Sequence, residues 1–329
     1  MLHAVCPVCK EQLKKSDNSA VCKNGHSFDF AKEGYLNLVL ASRKHSKDPG
    51  DNKEMVAARK LFLDTGSYSP LAHFIANTVA ARFNGSPITV IDAGVGTGYY
   101  LNEIISETES RARAHTYNNK VTDGCDNKIT NGYCNKNADD CDSKDTNYCC
   151  NKNADDRNGV ASNVYLGADL SKHAVRLAAK LNPLAECCVA SVFDLPYPDA
   201  CADVVTCVFS PYALSEYRRV LKPDGILIIV SPAEDHLIQL RAALYDDVRE
   251  VATEIPTDGF IKLSEHRITY DFTLDESDSI CALLSMTPYA YRAPKQKIES
   301  LRAFDSLALT ADFTVTVLSP IAKNRNNTL

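Results

Sequence analysis

The stretch Ile88-Thr-Val-Ile-Asp-Ala-Gly-Val-Gly-Thr-Gly98 decides the fold. A short apolar run reaches Asp92 and opens into three glycines at alternate positions, Gly94, Gly96 and Gly98. Glycines so spaced let the backbone pass close to a ligand, and a helix that follows presents free N–H groups to it. A turn of this kind holds a dinucleotide or a nucleoside, and it also arises by chance. The dinucleotide fingerprint is GxGxxG, whereas the form here is GxGxG, and Tyr99 stands where that fingerprint has its last glycine.

Working outward, short apolar runs alternate with helical ones from residue 88 onward. The strand candidates are ITVIDAG, NVYLGADL, ECCVASV, ADVVTCVFS and GILIIVS, with SKHAVRLAAKLN and YALSEYRRVLK as helices between them. Continuously apolar strands separated by helices predict a parallel sheet covered on both faces, a doubly wound α/β domain of Rossmann-like type. RITYDFTL and ADFTVTVLS add an antiparallel, hairpin-like edge.

In this architecture an acidic residue ends the second strand about 20 residues after the glycines and binds ribose hydroxyls. Asp169, in LGADLS, has that context but lies 71 positions beyond Gly98. The intervening stretch, from about 110 to 162, is rich in Asn, Asp and Lys and repeats CNKNADD at 134–140 and 150–156. It has too few aliphatic residues to offset its ordering entropy, so it reads as a disordered, low-complexity insertion. Removing roughly 50 residues restores the expected spacing. Cys125, Cys134, Cys141, Cys149 and Cys150 fall within it without the paired spacing of a metal site.

Two further strand ends carry chemistry. Ser191-Val-Phe-Asp-Leu-Pro196 places Asp194 and Leu195 where an adenine ring and its amino group would lie; Phe193 there reads equally as core. Phe209-Ser-Pro-Tyr212 ends the fourth strand, where a ligand at the carboxyl end of the sheet would meet a second reactant.

Upstream, Cys6-Pro-Val-Cys9, twelve residues, then Cys22-Lys-Asn-Gly-His26 form two close ligand pairs on a short ribbon. Three thiolates and an imidazole suit a tetrahedral, closed and therefore structural Zn²⁺ site. A redox dithiol at Cys6 and Cys9 is the alternative, but it leaves Cys22 and His26 unexplained. Residues 50–84 read as two helices joined at Gly66, with apolar residues at helical spacing. The domains expected are thus a zinc-binding domain over 1–40, a helical linker over 41–84 and a catalytic domain over 85–329 carrying the insertion.

The whole chain has 329 residues and a formal net charge of −6, which excludes a protein coated in positive charge but not a local basic patch. Arg43, Lys44, His45 and Lys47 form one such patch between ribbon and catalytic domain, a place for phosphate contacts or simply a solvated loop. No run of about 18 apolar residues supports a membrane span, and the first residues lack the apolar core of a signal peptide. Cytoplasmic location is the expectation.

With these residues in hand, the chain resembles the zinc-containing 23S rRNA guanine-N1 methyltransferase family. The likeness runs through CPVC…CKNGHSFDFAKEGYLNL, DPGDNKEMVAARKLFLDTGSY, IDAGVGTGYY and MTPYAYRA, almost the whole chain apart from the insertion. It implies a class I methyltransferase domain that uses S-adenosylmethionine, a structural zinc, and methylation of N1 of one guanine in a large-subunit rRNA hairpin by a homodimer. Cofactor binding is expected from Asp92, Gly94, Gly96, Thr97, Gly98, Tyr99, Asp169, Leu170, Asp194 and Leu195. Tyr212 is expected to border or stack on the acceptor base, with Tyr289 and Tyr291 as further candidates. Two departures stand out: Thr97 replaces a commonly acidic residue, and FSPYALSEY replaces a Tyr-Ala-Pro-type segment. A methyltransferase acting on a small molecule, and a non-catalytic RNA-binding protein that has lost methyl transfer, are the competing readings.

Overall fold

The computed structural model describes residues 2–40, 42, 49–83, 86–123, 162–246, 254–287, 289 and 292–321. Arg43, Lys44, His45, Lys47, Tyr291 and the five cysteines of the insertion lie outside the described residues.

Strands β1 (Lys14–Ser16), β2 (Ser19–Val21) and β3 (Ser27–Asp29) form a small antiparallel ribbon. After β4 (Leu36–Asn37) come helices α1 (Lys53–Asp64) and α2 (Ser69–Phe83), then β5 (Thr89–Ala93) and α3 (Tyr99–Asp123). Next are β6 (Val164–Asp169), α4 (Lys172–Leu181), β7 (Ala185–Val189), β8 (Ala202–Val208), α5 (Leu214–Val220) and β9 (Leu221–Pro232). The chain finishes with α6 (Ile238–Leu244), β10 (Phe260–Leu274), α7 (Ser277–Ser285), α8 (Lys295–Arg302) and β11 (Leu307–Pro320). No helix among the described residues is long and apolar enough to cross a membrane.

One eight-stranded sheet organises these elements in the order β10-β11-β9-β8-β5-β6-β7-β4. The strands from β9 to β4 run parallel, and β11 alone is inverted, pairing antiparallel with both β9 and β10. The expected antiparallel edge is therefore an inverted strand inserted between β9 and β10, with α7 and α8 in the connection. Helix α3 reaches Asp123, so regular structure continues into the stretch read as an insertion.

Alternate residues on the strands feed two cores. On one face Val90, Tyr165, Val204, Ile228 and Phe313 pack with Phe62 of α1, Leu71, Ile75 and Val79 of α2 and Leu101 and Ile104 of α3. The helices expected as a linker are thus part of the main core. Asn52 caps α1 by accepting from the Met55 N–H at 2.9 Å, and Gly66, with φ of +76°, turns the chain into α2. On the other face Ile91, Leu166, Val205 and Ile229 pack with Tyr217 of α5 and with Cys6, Leu13, Ala20 and Cys22 of the ribbon. The ribbon is a covering layer of the sheet. This is why strands that look uniformly apolar are buried on both sides.

Two buried carboxylates sit in this frame. Asp312 accepts from Arg267 Nε at 2.8 Å and Nη2 at 2.7 Å, from Thr269 Oγ1 and from the Asp235 N–H. Burial pushes its carboxyl up, but these donors prevail and hold it down at about 2. Asp92 lies opposite Thr206 in the β5–β8 register, and the Thr206 hydroxyl donates to it at 2.8 Å. There burial wins: the Asp92 carboxyl is pushed up to about 7, with the Thr206 bond opposing. A folded-state value above the unfolded one means stability present below about pH 4 and lost as pH rises toward 7. Asp92→Asn keeps the acceptor for Thr206 and removes the titration. We expect it to raise stability at pH 8 by on the order of 2 kcal/mol and to flatten the unfolding midpoint between pH 4 and 7. Denaturant unfolding across that range checks this, and a parental pH profile would refute burial as the cause.

Candidate functional site

The glycine turn leaves β5 at the carboxyl end of the sheet. Gly94, Gly96 and Gly98 have φ of +89°, +53° and +85°, values that L side chains rarely adopt. Space forbids side chains as well. A Cβ on Gly98 would come within 2.4 Å of Asn182 Nδ2, and one on Gly94 within 2.2 Å of Ser210 Oγ. The N–H groups of Gly94 and Val95 donate to the Ala168 carbonyl, which ties the turn to the end of β6.

Asp169 stands at that end. Its Oδ2 accepts from the Gly96 N–H at 3.0 Å and its Oδ1 from the Ser171 N–H at 2.8 Å. Burial raises this carboxyl above its ordinary value, the two amides opposing. Ser171 in turn caps α4 and donates its hydroxyl to the Asp51 carbonyl at 2.6 Å. Asp51 is paired with Arg59 of α1.

A cleft of about 370 Å³ opens over this turn. Gly94, Gly96, Thr97, Tyr99, Asp169 and Leu170, all expected at the cofactor, line it. Gly98 supports the turn from beneath through its contacts with α4. Asp92 does not line it; it is buried under the loop against Thr206. Leu195 is buried in the ribbon-side core, and its N–H donates to Glu216 Oε1 at 2.7 Å. Asp194 accepts from Lys10 Nζ of the ribbon at 2.6 Å, while its neighbours Ser191, Val192 and Phe193 form the cleft wall. Tyr212 lines a second depression with Leu214, Arg218 and Pro256, while its neighbour Pro211 lines the cleft. Tyr289 packs against Tyr245 and the main core.

Phe209, Ser210 and Pro211 of the segment expected to meet a second reactant line the cleft too. Gly50, Asp51, Arg59, Tyr68 and Tyr100 join them, residues that the sequence pattern does not single out as ligand-binding. A signal for Gly50 and Asp51 exists in DPGDN, a turn followed by a helix cap. Its approach to Ser171 is a long-range contact that spacing along the chain does not reveal. Gly50 is required there, because a Cβ would lie 2.7 Å from the Ser171 nitrogen.

The second centre is the ribbon. The ligand atoms of Cys6, Cys9, Cys22 and His26 all lie within 4.8 Å of one another. Cys9 Sγ is 3.6 Å from Cys22 Sγ, and Cys22 Sγ is 3.3 Å from His26 Nδ1. A tetrahedral zinc with Zn–S bonds of about 2.3 Å needs S–S edges of about 3.8 Å, so the four donors fit that ion. The Glu11 N–H leads the influences that hold the Cys9 thiol down at about 6, favouring the thiolate that a metal needs. By contrast, burial pushes the Cys187, Cys188 and Cys207 thiols up to about 12, so these behave as small apolar residues. The ribbon also grips the cleft wall: besides Lys10 on Asp194, the Val5 N–H donates to the Pro196 carbonyl at 2.8 Å.

Comparison with known proteins agrees with this two-centre architecture. The zinc-ribbon family described as RlmA, N-terminal, matches residues 4–47, and the family described as Methyltransferase domain matches residues 151–229. The chain is 30% identical over 321 residues to the 23S rRNA (guanine(748)-N(1))-methyltransferase of Streptomyces fradiae, covering 94% of this chain and 95% of that one. A Bacillus subtilis relative provisionally described as a 23S rRNA (guanine-N(1)-)-methyltransferase is 30% identical, with 95% of each chain covered. A Micromonospora griseorubida relative, described in the same provisional way, is 32% identical over 72% of this chain and 68% of its own. The chain belongs to the 23S rRNA (guanine-N1)-methyltransferase family, with an S-adenosylmethionine-dependent class I methyltransferase domain and an N-terminal zinc ribbon.

Proposed function

We propose that this protein methylates N1 of one guanine in a hairpin of 23S rRNA. The observation that carries the reading is the Asp169-pinned glycine turn at the mouth of the cleft, in a chain whose relatives over nearly its full length are rRNA (guanine-N1)-methyltransferases. Bound there, S-adenosylmethionine supplies a methyl group already activated by its sulfonium, so the protein's work is to orient reactants and exclude water.

In this reading Asp169 and Leu170 hold the ribose, and Gly94, Gly96 and Thr97 let the cofactor lie against the backbone. Tyr99 closes the side, its hydroxyl 3.3 Å from Ser69 Oγ. The paired Arg59 and Asp51 present opposite charges that complement the carboxylate and ammonium of the methionine end. Asp92 supports the strand beneath. Phe193 replaces Asp194 as the residue facing the adenine, since it lines the cleft and is 62% exposed. A homodimer working in the cytoplasm, with RNA phosphates met partly by Arg43, Lys44 and Lys47, belongs to the same proposal. Ile261 and Leu263, exposed on edge strand β10, offer apolar surface to a second copy.

The direct test is transfer from labelled S-adenosylmethionine to unmethylated 23S rRNA, followed by mapping. A single N1-methylguanine in a hairpin loop is expected; label only on small molecules would sink the reading. For the cofactor site, Asp169→Asn should weaken S-adenosylmethionine binding at least tenfold by calorimetry while the fold, followed by circular dichroism, persists. Unchanged affinity would remove Asp169 from the site. Because Lys10 and Val5 grip the Ser191–Pro196 wall, stripping zinc with a chelator should weaken cofactor binding as well as RNA binding. Zinc-free protein that binds the cofactor at parental affinity would show the two centres to be independent.

A further inference from the structure

Phe209 ends β8 with φ of +53°. The left-handed region is costly for any side chain with a Cβ, and a bulky residue there is an outlier. The conformation is held from both sides. The Phe209 N–H donates to the Val230 carbonyl at 3.2 Å, and Tyr217 Oη donates to the Pro211 carbonyl at 2.7 Å. Ser210 fits over Gly94, where no side chain could stand in its way.

The residue sits between core and cleft: it lines the cleft, and 44% of it is exposed there. Behind it stand Phe313, with ring centroids 5.6 Å apart, Tyr100 at 6.2 Å and Tyr68 at 6.3 Å. Packing against those rings alone would not require a strained backbone that leaves this much of the residue exposed. Strain kept at a cleft marks a positioned group. The ring stands beside the glycine turn, on the strand next to β5, and Phe193 stands on the wall at the end of β7.

We propose that Phe209, rather than Tyr212, is the platform on which the acceptor guanine stacks once it has left its hairpin. RNA bases presented from loops are commonly held on aromatic faces, and a ring backed by three others is a rigid support. This assignment rests on the rRNA reading above.

The test exploits the strain. Phe209→Gly removes the ring and suits a positive φ, so the unfolding midpoint should stay level or rise, and the S-adenosylmethionine Kd should stay within about twofold. The kcat/KM for rRNA should fall roughly 10- to 100-fold, the range expected for one stacked base. Phe209→Tyr should recover most of that loss. Parental kcat/KM in a folded Phe209→Gly protein would overturn the stacking role while leaving the rRNA reading intact. A parent protein that binds the cofactor but transfers no methyl to rRNA would overturn both together. Loss of stability and of cofactor binding along with rRNA activity would make the ring a structural prop and also overturn the proposal.

Discussion

A single carboxylate holds the site together. Asp169 takes the Gly96 N–H on one oxygen and the Ser171 N–H on the other. The first bond fixes the glycine turn against the end of β6; the second sets Ser171 to cap α4 and to reach the Asp51 carbonyl ahead of α1. Three segments distant in sequence, near residues 50, 96 and 170, are therefore referenced to one side chain. Half-buried at the cleft, such a group is costly unless its acceptor capacity is used, and here each oxygen has a backbone donor.

The second organising constraint is the covering of the sheet. A parallel sheet must be shielded on both faces, and helices usually do both jobs. Here α1, α2 and α3 shield one face, while the cysteine–histidine ribbon and α5 shield the other. Cys6 and Cys22 serve the ribbon twice, as donors to a metal and as buried members of the core it shares with Leu166 and Ile229. Metal centre and catalytic fold are physically one body. The same core explains the cysteines on the strands: Cys188 and Cys207 are buried in it, and burial keeps their thiols protonated at neutral pH.

Much of this is legible from residues alone, for definite reasons. Glycines at alternate positions after an apolar run report a backbone requirement, and the structure finds positive φ at all three. Asp169 could be set at the turn once the insertion was discounted, because strand order in such sheets fixes which strand ends meet. The four ribbon donors carry their own spacing. Other features depend on three dimensions. Whether Asp92 faces ligand or core turns on its register opposite Thr206. That Phe209 rather than Tyr212 lines the cleft, at a φ of +53°, is a matter of local backbone conformation that residue types do not display. Asp194 looks like a ligand-binding acid until the ribbon folds back and sets Lys10 upon it. The role of DPGDN emerges only when Gly50 meets Ser171.

The two-residue strand β4 carries a consequence beyond its size. Leu36 and Asn37 pair in parallel with Cys188 and Val189, and the Leu38 N–H continues onto the Val189 carbonyl. They cap what would otherwise be the naked margin of a long sheet. An uncapped margin offers its peptide groups to any passing strand, the usual start of edge-to-edge aggregation. Trimming the protein back to its methyltransferase domain would thus do more than delete a metal centre. It would strip an apolar face and unzip a sheet border at once, leaving a fragment inclined to self-associate. In this fold the N-terminal segment completes both a face and a border of the main sheet.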